Sequence, residues 1–299
     1  ATAAPAQIVK EDETIHAQLK IGLPAELKKE DVQIENDYVT QTVYIRFPGG
    51  TEDYFQKYKI RGSSDHIASL SYYKDGEDGV IALTLDKVYE LSQKYRKGGL
   101  YLDFIDPHDI YDKVVVIDAG HGSRAAGAVK LGVSEKDIDL DILLQLKKLF
   151  DACPDNIGVY YTRTTDTNPT LDQRVQLANK ADADLFISVH CNSYEKGNFT
   201  AVSGTQVLYS QSDDRELGSK HLAQICMDNV TAATGNRAFG LLPADDIYII
   251  RTSEAPVALV EVGFMTNRQE LDNLANADYQ KQAAQGIYNA IMQAFDEGY

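Results

Sequence analysis

The chain has 299 residues, of which 43% are hydrophobic, so its length suggests about two domains with ordinary cores. Its formal net charge of -16 argues against a nucleic-acid partner, because nucleic-acid-binding surfaces need basic residues that neutralise phosphates. No stretch approaches the length and hydrophobicity of a membrane span, and the three cysteines are an odd count with no evident disulfide framework. The oligomeric state is left open by the composition.

The amino-terminal part of the chain, residues 1–110, contains short runs in which hydrophobic and polar residues alternate. Gly, Asp, Pro and Ser separate these runs, a pattern that predicts a smaller antiparallel β domain. The predicted strands cover residues 15–21, 42–47, 58–61, 67–72, 80–85 and 100–105. Ten of the 18 tyrosines lie within residues 1–112, which we attribute to β-strand propensity rather than to a sugar-binding surface.

From residue 111 to residue 299, predicted strands alternate with predicted helices. This alternation is typical of an α/β domain in which helices flank both faces of a mostly parallel twisted sheet. The predicted helices cover 134–151, 170–181, 214–234 and 278–295, and the predicted strands cover 114–118, 157–162, 184–190, 204–210 and 256–262. Residues 106–109 are expected to form a short hinge between the two domains.

Two histidines stand where strands of this predicted sheet end. His121 follows the β-branched run 114–118 through a glycine-containing turn, and His190 ends the apolar run 184–190. Both side chains are therefore expected at the carboxyl ends of parallel strands. In open α/β sheets that edge is where ligands bind.

Glu135 is placed differently, in the first turn of the predicted helix 134–151, from which its carboxylate would project. Ser134 is a plausible N-cap, with Asp137 as a shorter version of the capping-box acid. With the two histidines, Glu135 completes a ligand set typical of hydrolytic zinc sites, which keep one position for water. Closed structural zinc sites favour several cysteines, and cysteine is too scarce here. A single histidine at a strand end is usually structural, but three such coincidences weaken that interpretation.

Glu261 is a further acid near the end of the apolar run 256–262. An unpaired carboxylate on a buried strand is costly, but it would be tolerated beside a metal centre. There it could act as general base toward water and then as general acid toward a leaving nitrogen. The alternative is a core acid that forms a salt bridge with Arg163, Arg174 or Arg251.

Two rival interpretations of the same loops are weaker. The pattern Gly120-x-Gly122-x-x-Ala125 after a strand imitates a dinucleotide-binding fingerprint, in which a helix begins at once. Here helical periodicity starts only near residue 134, so we do not expect a nucleotide site. Cys191 adjoins His190, but neighbouring side chains on a strand point to opposite faces and cannot readily form a pair of nucleophile and base.

Six stretches between residues 113 and 297 carry motifs in the order of a known family. They are VVIDAGHG at 115–122, SEKD at 134–137, TRTTD at 162–166, RVQLAN at 174–179, ADLFISVHCN at 183–192 and VEVGFMTN at 260–267. These stretches resemble the zinc-dependent N-acetylmuramoyl-L-alanine amidases of the type 3 class, which cleave peptidoglycan. The resemblance implies that His121, Glu135 and His190 bind Zn2+ and that Glu261 is the catalytic glutamate. Residues 1–110 loosely resemble the β-sandwich targeting domains that precede many such amidases.

The expected activity is that of a peptidoglycan hydrolase. The resemblance implies that zinc-activated water cleaves the amide bond between N-acetylmuramic acid and the L-alanine of the stem peptide. Asn192 and Arg251 are candidate substrate contacts, and each could equally be structural support. A zinc peptidase acting within the stem peptide and a non-catalytic peptidoglycan-binding protein stay open as alternatives.

The expected location is outside the bacterial cytoplasm, with the protein either secreted or associated with the cell wall. The chain begins without Met and without an apolar signal core, so any export signal is expected to have been removed.

Overall fold

The computed structural model describes residues 17–62, 65–194 and 198–299. Within them the chain forms two compact units that interleave along the sequence. The first contains the described part of Ala1–Asn36 with Val43–Leu85 and Glu90–Ile105, and the second contains Asp37–Thr42, Asp86–Tyr89 and Asp106–Tyr299. A boundary between one domain of residues 1–110 and another of residues 111–299 stays a prediction.

The amino-terminal region consists mainly of β-strands, as its alternating pattern predicts. Its elements are β1 (Leu19–Gly22), β2 (Gln33–Asp37), β3 (Thr42–Pro48), α1 (Tyr54–Lys57), β4 (Ile60–Gly62), β5 (Ile67–Asp75), β6 (Asp78–Leu85), β7 (Glu90–Arg96) and β8 (Gly99–Ile105). They form two four-stranded sheets, with the orders β4-β1-β8-β7 and β2-β3-β6-β5. β1 pairs antiparallel with β4 and β8, β5 with β6, and β7 with β8.

The strand predicted at residues 15–21 is observed from Leu19 onward, and residues 15 and 16 lie outside the described part. β2 and β7 were not predicted. β7 has no buried residue, and β2 has none either, so neither strand carries a strong hydrophobic signal.

The remaining elements are strands and helices that largely alternate along the chain. They are β9 (Lys113–Ala119), β10 (Val129–Lys130), β11 (Val133–Ser134), α2 (Glu135–Asp151), β12 (Ile157–Tyr161), α3 (Leu171–Lys180), β13 (Leu185–Asn192), β14 (Thr205–Tyr209), α4 (Ser219–Thr234), β15 (Ala238–Pro243), α5 (Tyr248–Thr252), β16 (Val257–Phe264), α6 (Arg268–Leu274) and α7 (Ala277–Glu297). A 3-10 turn at Pro107–Asp109 occupies the segment predicted as a hinge.

A six-stranded sheet in the order β12-β9-β13-β16-β14-β15 organises this second unit. β12, β9, β13 and β16 run parallel to one another, and β14 runs antiparallel to β16. One hydrophobic cluster packs α2, α4 and α7 on one face of the sheet, and a second packs α3 and α5 on the other. The mostly parallel α/β fold with helices on both faces is thereby confirmed.

Successive side chains along a strand point to opposite faces of the sheet, so the position of each functional residue determines the face on which its side chain lies. Val189 and Cys191 of β13 belong to the cluster on the α2 face, whereas Phe186 belongs to the cluster on the α3 face. His190, between Val189 and Cys191, belongs to neither hydrophobic cluster, and its Nδ1 lies 3.0 Å from Oε1 of Glu135 at the start of α2. Cys191 is only 1% exposed, in keeping with a packing role.

The predicted helix start at residue 214 is wrong, because α4 begins at Ser219. Asp213 explains the difference. Its carboxylate accepts hydrogen bonds from the backbone nitrogen and hydroxyl of Ser219, both at 2.8 Å, and from the guanidinium of Arg215. These bonds hold the segment before Ser219 as a loop.

Candidate metal centre

Four side chains converge at the carboxyl edge of the parallel strands. His121, Glu135, Asp139 and His190 each offer one ligand atom, and these atoms all lie within 4.8 Å of one another. His121 follows β9 and His190 lies in the neighbouring strand β13, while both acids belong to α2. The three residues predicted as ligands thus come together, and Asp139 joins them without having been predicted.

The backbone around His121 adopts a conformation that requires support. His121 has φ of 58° and Ser123 has φ of 48°, in the left-handed region that residues other than glycine rarely adopt. Arg174 holds this turn, because its guanidinium donates to the carbonyl of Ala119 at 2.6 Å and to that of His121 at 2.5 Å. Arg163 donates to the carbonyls of Ala119 at 2.9 Å and Gly120 at 2.7 Å. Two arginines therefore orient the first histidine through its backbone.

A buried ion pair fixes one of these arginines. Arg174 lies 2.5 Å from the Asp118 carboxylate, and their side chains are 3% and 1% exposed. The Thr162 and Ser188 hydroxyls also donate to Asp118, each at 2.6 Å. Burial raises the pKa of Asp118, but the Arg174 charge, His190 and the hydroxyl donors outweigh it and leave that pKa below its usual value. Asp118 thus stays ionised beneath the site.

Glu135 bridges the two histidines. Its Oε1 lies 3.0 Å from Nε2 of His121 and 3.0 Å from Nδ1 of His190, and its Oε2 accepts from the backbone nitrogen of Ala128 at 2.7 Å. Burial raises the pKa of this carboxyl, but its hydrogen bonds to both imidazoles have the larger, opposite effect. The pKa of Glu135 therefore falls well below the usual range. The carboxylate is therefore ionised and aimed at both imidazoles.

The predicted capping box at the start of α2 is not formed, since the Ser134 side chain makes no cap hydrogen bond. The loop before the helix provides the acceptors instead. The backbone nitrogen of Glu135 donates to the carbonyl of Ala128 at 2.8 Å, and that of Lys136 donates to the carbonyl of Ala126 at 3.2 Å. Because these carbonyls satisfy the first amides, the helix needs no side-chain cap.

Two glycines make room for the imidazoles. A Cβ at Gly120 would lie 2.2 Å from Cε1 of His190, and a Cβ at Gly127 would lie 2.4 Å from Oε2 of Glu135 and 2.7 Å from Cδ2 of His121. Gly120, the first glycine of the pattern that imitates a nucleotide fingerprint, therefore serves close packing against His190.

Glu261 lies directly beside His190. The two residues are register partners on the parallel strands β13 and β16, so their side chains share a face of the sheet. Burial raises the pKa of Glu261 to about 7, with His190 lowering it and Glu135 raising it. Within the described chain, its Oε2 is shielded from solvent and has no hydrogen-bond partner.

The salt bridge considered for Glu261 is absent from the described residues. Arg174 pairs with Asp118, and Arg163 donates to backbone carbonyls. Arg251 donates to the carbonyls of Asp245 at 3.0 Å and Asp246 at 3.1 Å.

The two candidate substrate contacts occupy different surroundings. Asn192, two residues beyond His190, donates from Nδ2 to Oε1 of Gln206 at 2.8 Å. Arg251 lies on α5, where it stacks over Tyr248 at 5.9 Å from the ring centroid. A cleft of about 240 Å³ opens at the metal centre, lined by Asp118, Gly120, His121, Ala125, Asn168, Pro169, Thr170, Leu171, Arg174, His190 and Ile249. Neither Asn192 nor Arg251 lines this cleft, and a substrate role for either stays a prediction.

Asp139 is the residue that sequence reasoning missed. It is 0% exposed, and both carboxylate oxygens lack a hydrogen-bond partner within the described chain. Burial raises its pKa well above the usual value, against the attraction of His190. The available signal was its position four residues after Glu135, next to the apolar positions 138 and 142 of the same helix.

The Amidase_3 family model, described as N-acetylmuramoyl-L-alanine amidase, matches residues 115–293, which is more than half of the chain. The chain belongs to this amidase family. All four residues of the candidate centre and Glu261 lie within the matched part of this amidase sequence.

Several relatives and solved structures resemble this amidase chain. It is 36% identical over 189 residues to the uncharacterised protein YqiI of Bacillus subtilis, covering 63% of this chain and 87% of YqiI. It is 31% identical over 183 residues to the N-acetylmuramoyl-L-alanine amidase LytC of Bacillus subtilis, covering 61% of this chain but 36% of LytC. The catalytic domain of CwlV, an N-acetylmuramoyl-L-alanine amidase from Bacillus (Paenibacillus) polymyxa, matches with a TM-score of 0.56 and 34% identity, covering 62% of this chain and 98% of that domain. An N-acetylmuramoyl-L-alanine amidase from Clostridium difficile 630 matches with a TM-score of 0.58 and 31% identity over 62% of this chain and 98% of its own.

Proposed function

We propose that this chain is a zinc-dependent N-acetylmuramoyl-L-alanine amidase. Its reaction is hydrolysis of the amide bond between N-acetylmuramic acid and the L-alanine of the peptidoglycan stem peptide. Membership of the amidase family supports the reaction. The observation that carries the mechanism is the convergence of two imidazoles and Glu135, with Glu261 as the register partner of His190.

The donors of the centre suit a zinc ion. Two imidazole nitrogens and a carboxylate oxygen are a zinc set that keeps a position for water. Buried oxygens of Asp139 and Glu261 have no hydrogen-bond partner in the described chain, as expected beside a cation, because unpaired buried carboxylates are costly. When bound, zinc would polarise the scissile carbonyl and lower the pKa of water from about 15.7 toward ~7.

Each residue of the chain then has a defined task. His121, Glu135 and His190 hold the ion, and Arg174 and Arg163 keep the His121 turn in place. Glu261 accepts a proton at Oε2 from the attacking water and passes it to the nitrogen of L-alanine as the carbon–nitrogen bond breaks. In the metal-free protein, burial raises the pKa of Glu261 to about 7, and a bound cation would lower it toward the ionised form that a general base needs.

Replacing the proton carrier tests this assignment. E261Q should retain its zinc but lose roughly 100- to 10,000-fold in the rate of stem-peptide release, the range typical of a general acid–base group. The control is E254Q, an exposed acid just before the same strand, which should keep wild-type activity. Zinc content by atomic absorption and dye release from labelled peptidoglycan are the two measurements. Wild-type release by zinc-loaded E261Q would overturn the role of Glu261.

The substrate also suggests a location. Peptidoglycan lies outside the cytoplasmic membrane, so the proposed site of action is extracytoplasmic, in solution or on the wall. Among the described residues, none of the helices combines the length and the apolar character of a bilayer span. The amino-terminal β region is proposed as a wall-targeting element, on the basis of its place before the amidase part.

A further inference from the structure

Asp139 is a fully buried acid that the proposed mechanism leaves without a task. It lies one helical turn after Glu135 on α2, so both carboxylates project from the same face of the helix. Its exposure is 0%, and neither Oδ1 nor Oδ2 has a hydrogen-bond partner within the described chain. One of its oxygens lies within 4.8 Å of the ligand atoms of His121, Glu135 and His190.

The positive charges near Asp139 are engaged elsewhere. Arg163 donates to the carbonyls of Ala119, Gly120, Lys136 and Thr165. Arg174 is paired with Asp118 at 2.5 Å. The Cys191 thiol lies beside Asp139, but a thiol is only a weak donor. His190 attracts Asp139, but its Nδ1 lies 3.0 Å from Oε1 of Glu135. An ionised Asp139 therefore has no cation of its own, which favours a bound metal ion as its partner.

We propose that Asp139 is a second anionic ligand of the bound divalent cation. This inference rests on the proposed function, because it concerns the same zinc ion. The centre is then formed by two imidazoles and two carboxylates, in place of the two imidazoles and one carboxylate that the sequence predicts. The additional charge strengthens cation binding, and Asp139 costs stability when the ion is removed.

An isosteric substitution separates this role from simple packing. D139N keeps the shape of the side chain and removes its charge. D137N is the matched control, because Asp137 lies on the same helix with a side chain 60% exposed. The zinc Kd is measured by competition with a chromophoric chelator, and the free energy of unfolding is measured with and without zinc.

We expect D139N to weaken zinc binding at least 10- to 100-fold, because loss of a ligand should cost no less than loss of a group that only supports a metal site. Metal-free D139N should be at least as stable as the metal-free wild type, because the amide requires neither a buried charge nor the uptake of a proton on folding. D137N should keep the wild-type Kd. Loss of stability in metal-free D139N together with an unchanged Kd would show a packing role and overturn the proposal.

The Co2+-loaded protein tests direct coordination. Removal of a ligand should change the visible d–d absorption of the Co2+-loaded D139N protein relative to the wild type. A weaker Kd with an unchanged cobalt spectrum would place Asp139 outside the coordination sphere and overturn the ligand assignment. E135Q distinguishes the two proposals: if the wild type binds zinc and E135Q does not, while D139N matches the wild type, only the role of Asp139 fails. Absence of zinc binding by the wild type would overturn the proposed function itself.

Discussion

At the scale of single residues, the buried position of Glu261 determines the pKa of its carboxyl group. Burial raises its pKa from 4.5 to about 7, while His190 lowers it and Glu135 raises it. The folded metal-free protein therefore binds a proton at Glu261 more tightly than the unfolded chain does. A raised carboxyl pKa means that stability is lost as the pH rises from the unfolded value through the folded one.

We expect the free energy of unfolding of the metal-free protein to fall with rising pH between about 4.5 and about 7. E261Q lacks the titrating group, so the two proteins should diverge over this range by about 3 kcal/mol. Urea titrations in the presence of a chelator at the two ends of the range measure the difference. Parallel pH dependence in both proteins would contradict the assignment of a raised pKa to Glu261.

Arg174 acts on the site through the backbone of the His121 turn. Lysine at this position would keep a charge near Asp118 but could not reach the carbonyls of Ala119 and His121 in the same fork. R174K should lose about 2 kcal/mol of stability from its missing hydrogen bonds. Its zinc Kd should rise roughly 10-fold, as for other supporting groups.

The control for this change is R268K, since Arg268 has a side chain 62% exposed that pairs with the exposed Asp272 and lies over the exposed ring of Phe199. R268K should match the wild type in both measurements. A wild-type zinc Kd in R174K would show that the turn holds His121 without the arginine.

The histidines and Glu261 were predictable because each ends or nearly ends an apolar run, and parallel strands bring their carboxyl ends to one edge. Asp139 was not, because a lone acid beside an apolar helix stripe gives no sign of how deeply it will be buried. Its burial depends on the sheet that packs against α2, and that packing is a tertiary property.

At the scale of elements, the loop between β9 and α2 determines how close His121 and Glu135 can come. Gly127 has φ of 67° and lies against both side chains, whereas Gly132 has φ of 84° and would have no atom within 4 Å of an added Cβ. The two positions thus share a left-handed backbone but differ in the space around them. Alanine substitutions at the two positions can therefore distinguish the effect of backbone strain from the effect of steric exclusion.

We expect G132A to lose only about 1–2 kcal/mol from its left-handed conformation and to keep the wild-type zinc affinity. G127A should lose as much stability and should in addition bind zinc at least 10-fold more weakly, because its Cβ would displace Glu135 or His121. Calorimetric zinc titration of both variants measures the difference. Equal zinc affinity in the two variants would contradict the steric account.

The strongly periodic elements were predictable, whereas β15, α5 and α6 were not. β15 is an exposed edge strand, and α5 has only five residues, too few to show a helical period. α6 is capped by Asn267, whose side chain accepts from the backbone of Gln269 and Glu270. This local hydrogen bonding, rather than a long apolar stripe, starts that helix.

At the scale of the whole molecule, the described residues form two compact units, and the candidate metal centre belongs entirely to the second unit. A ligand that binds only the folded state stabilises the unit that holds it. The proposed zinc ion would therefore link the local electrostatics of the centre to the stability of the α/β sheet around it.

Saturating zinc should raise the unfolding temperature of the α/β unit, and a chelator should lower it. The gain is about 4 kcal/mol when free zinc exceeds its Kd a thousandfold. Scanning calorimetry with added zinc and with a chelator measures the effect. A thermal transition that does not respond to zinc would contradict the proposed metal centre.

Mass spectrometry of the products shows which amide bond the protein cuts. Purified peptidoglycan is digested with the zinc-loaded protein, with a chelator-treated sample as the control. We expect intact stem peptides with a free amino-terminal alanine, and glycan strands whose lactyl groups end in free carboxyls. Fragments cut within the stem peptide would identify a zinc peptidase instead, and binding without any product would identify a non-catalytic wall-binding protein.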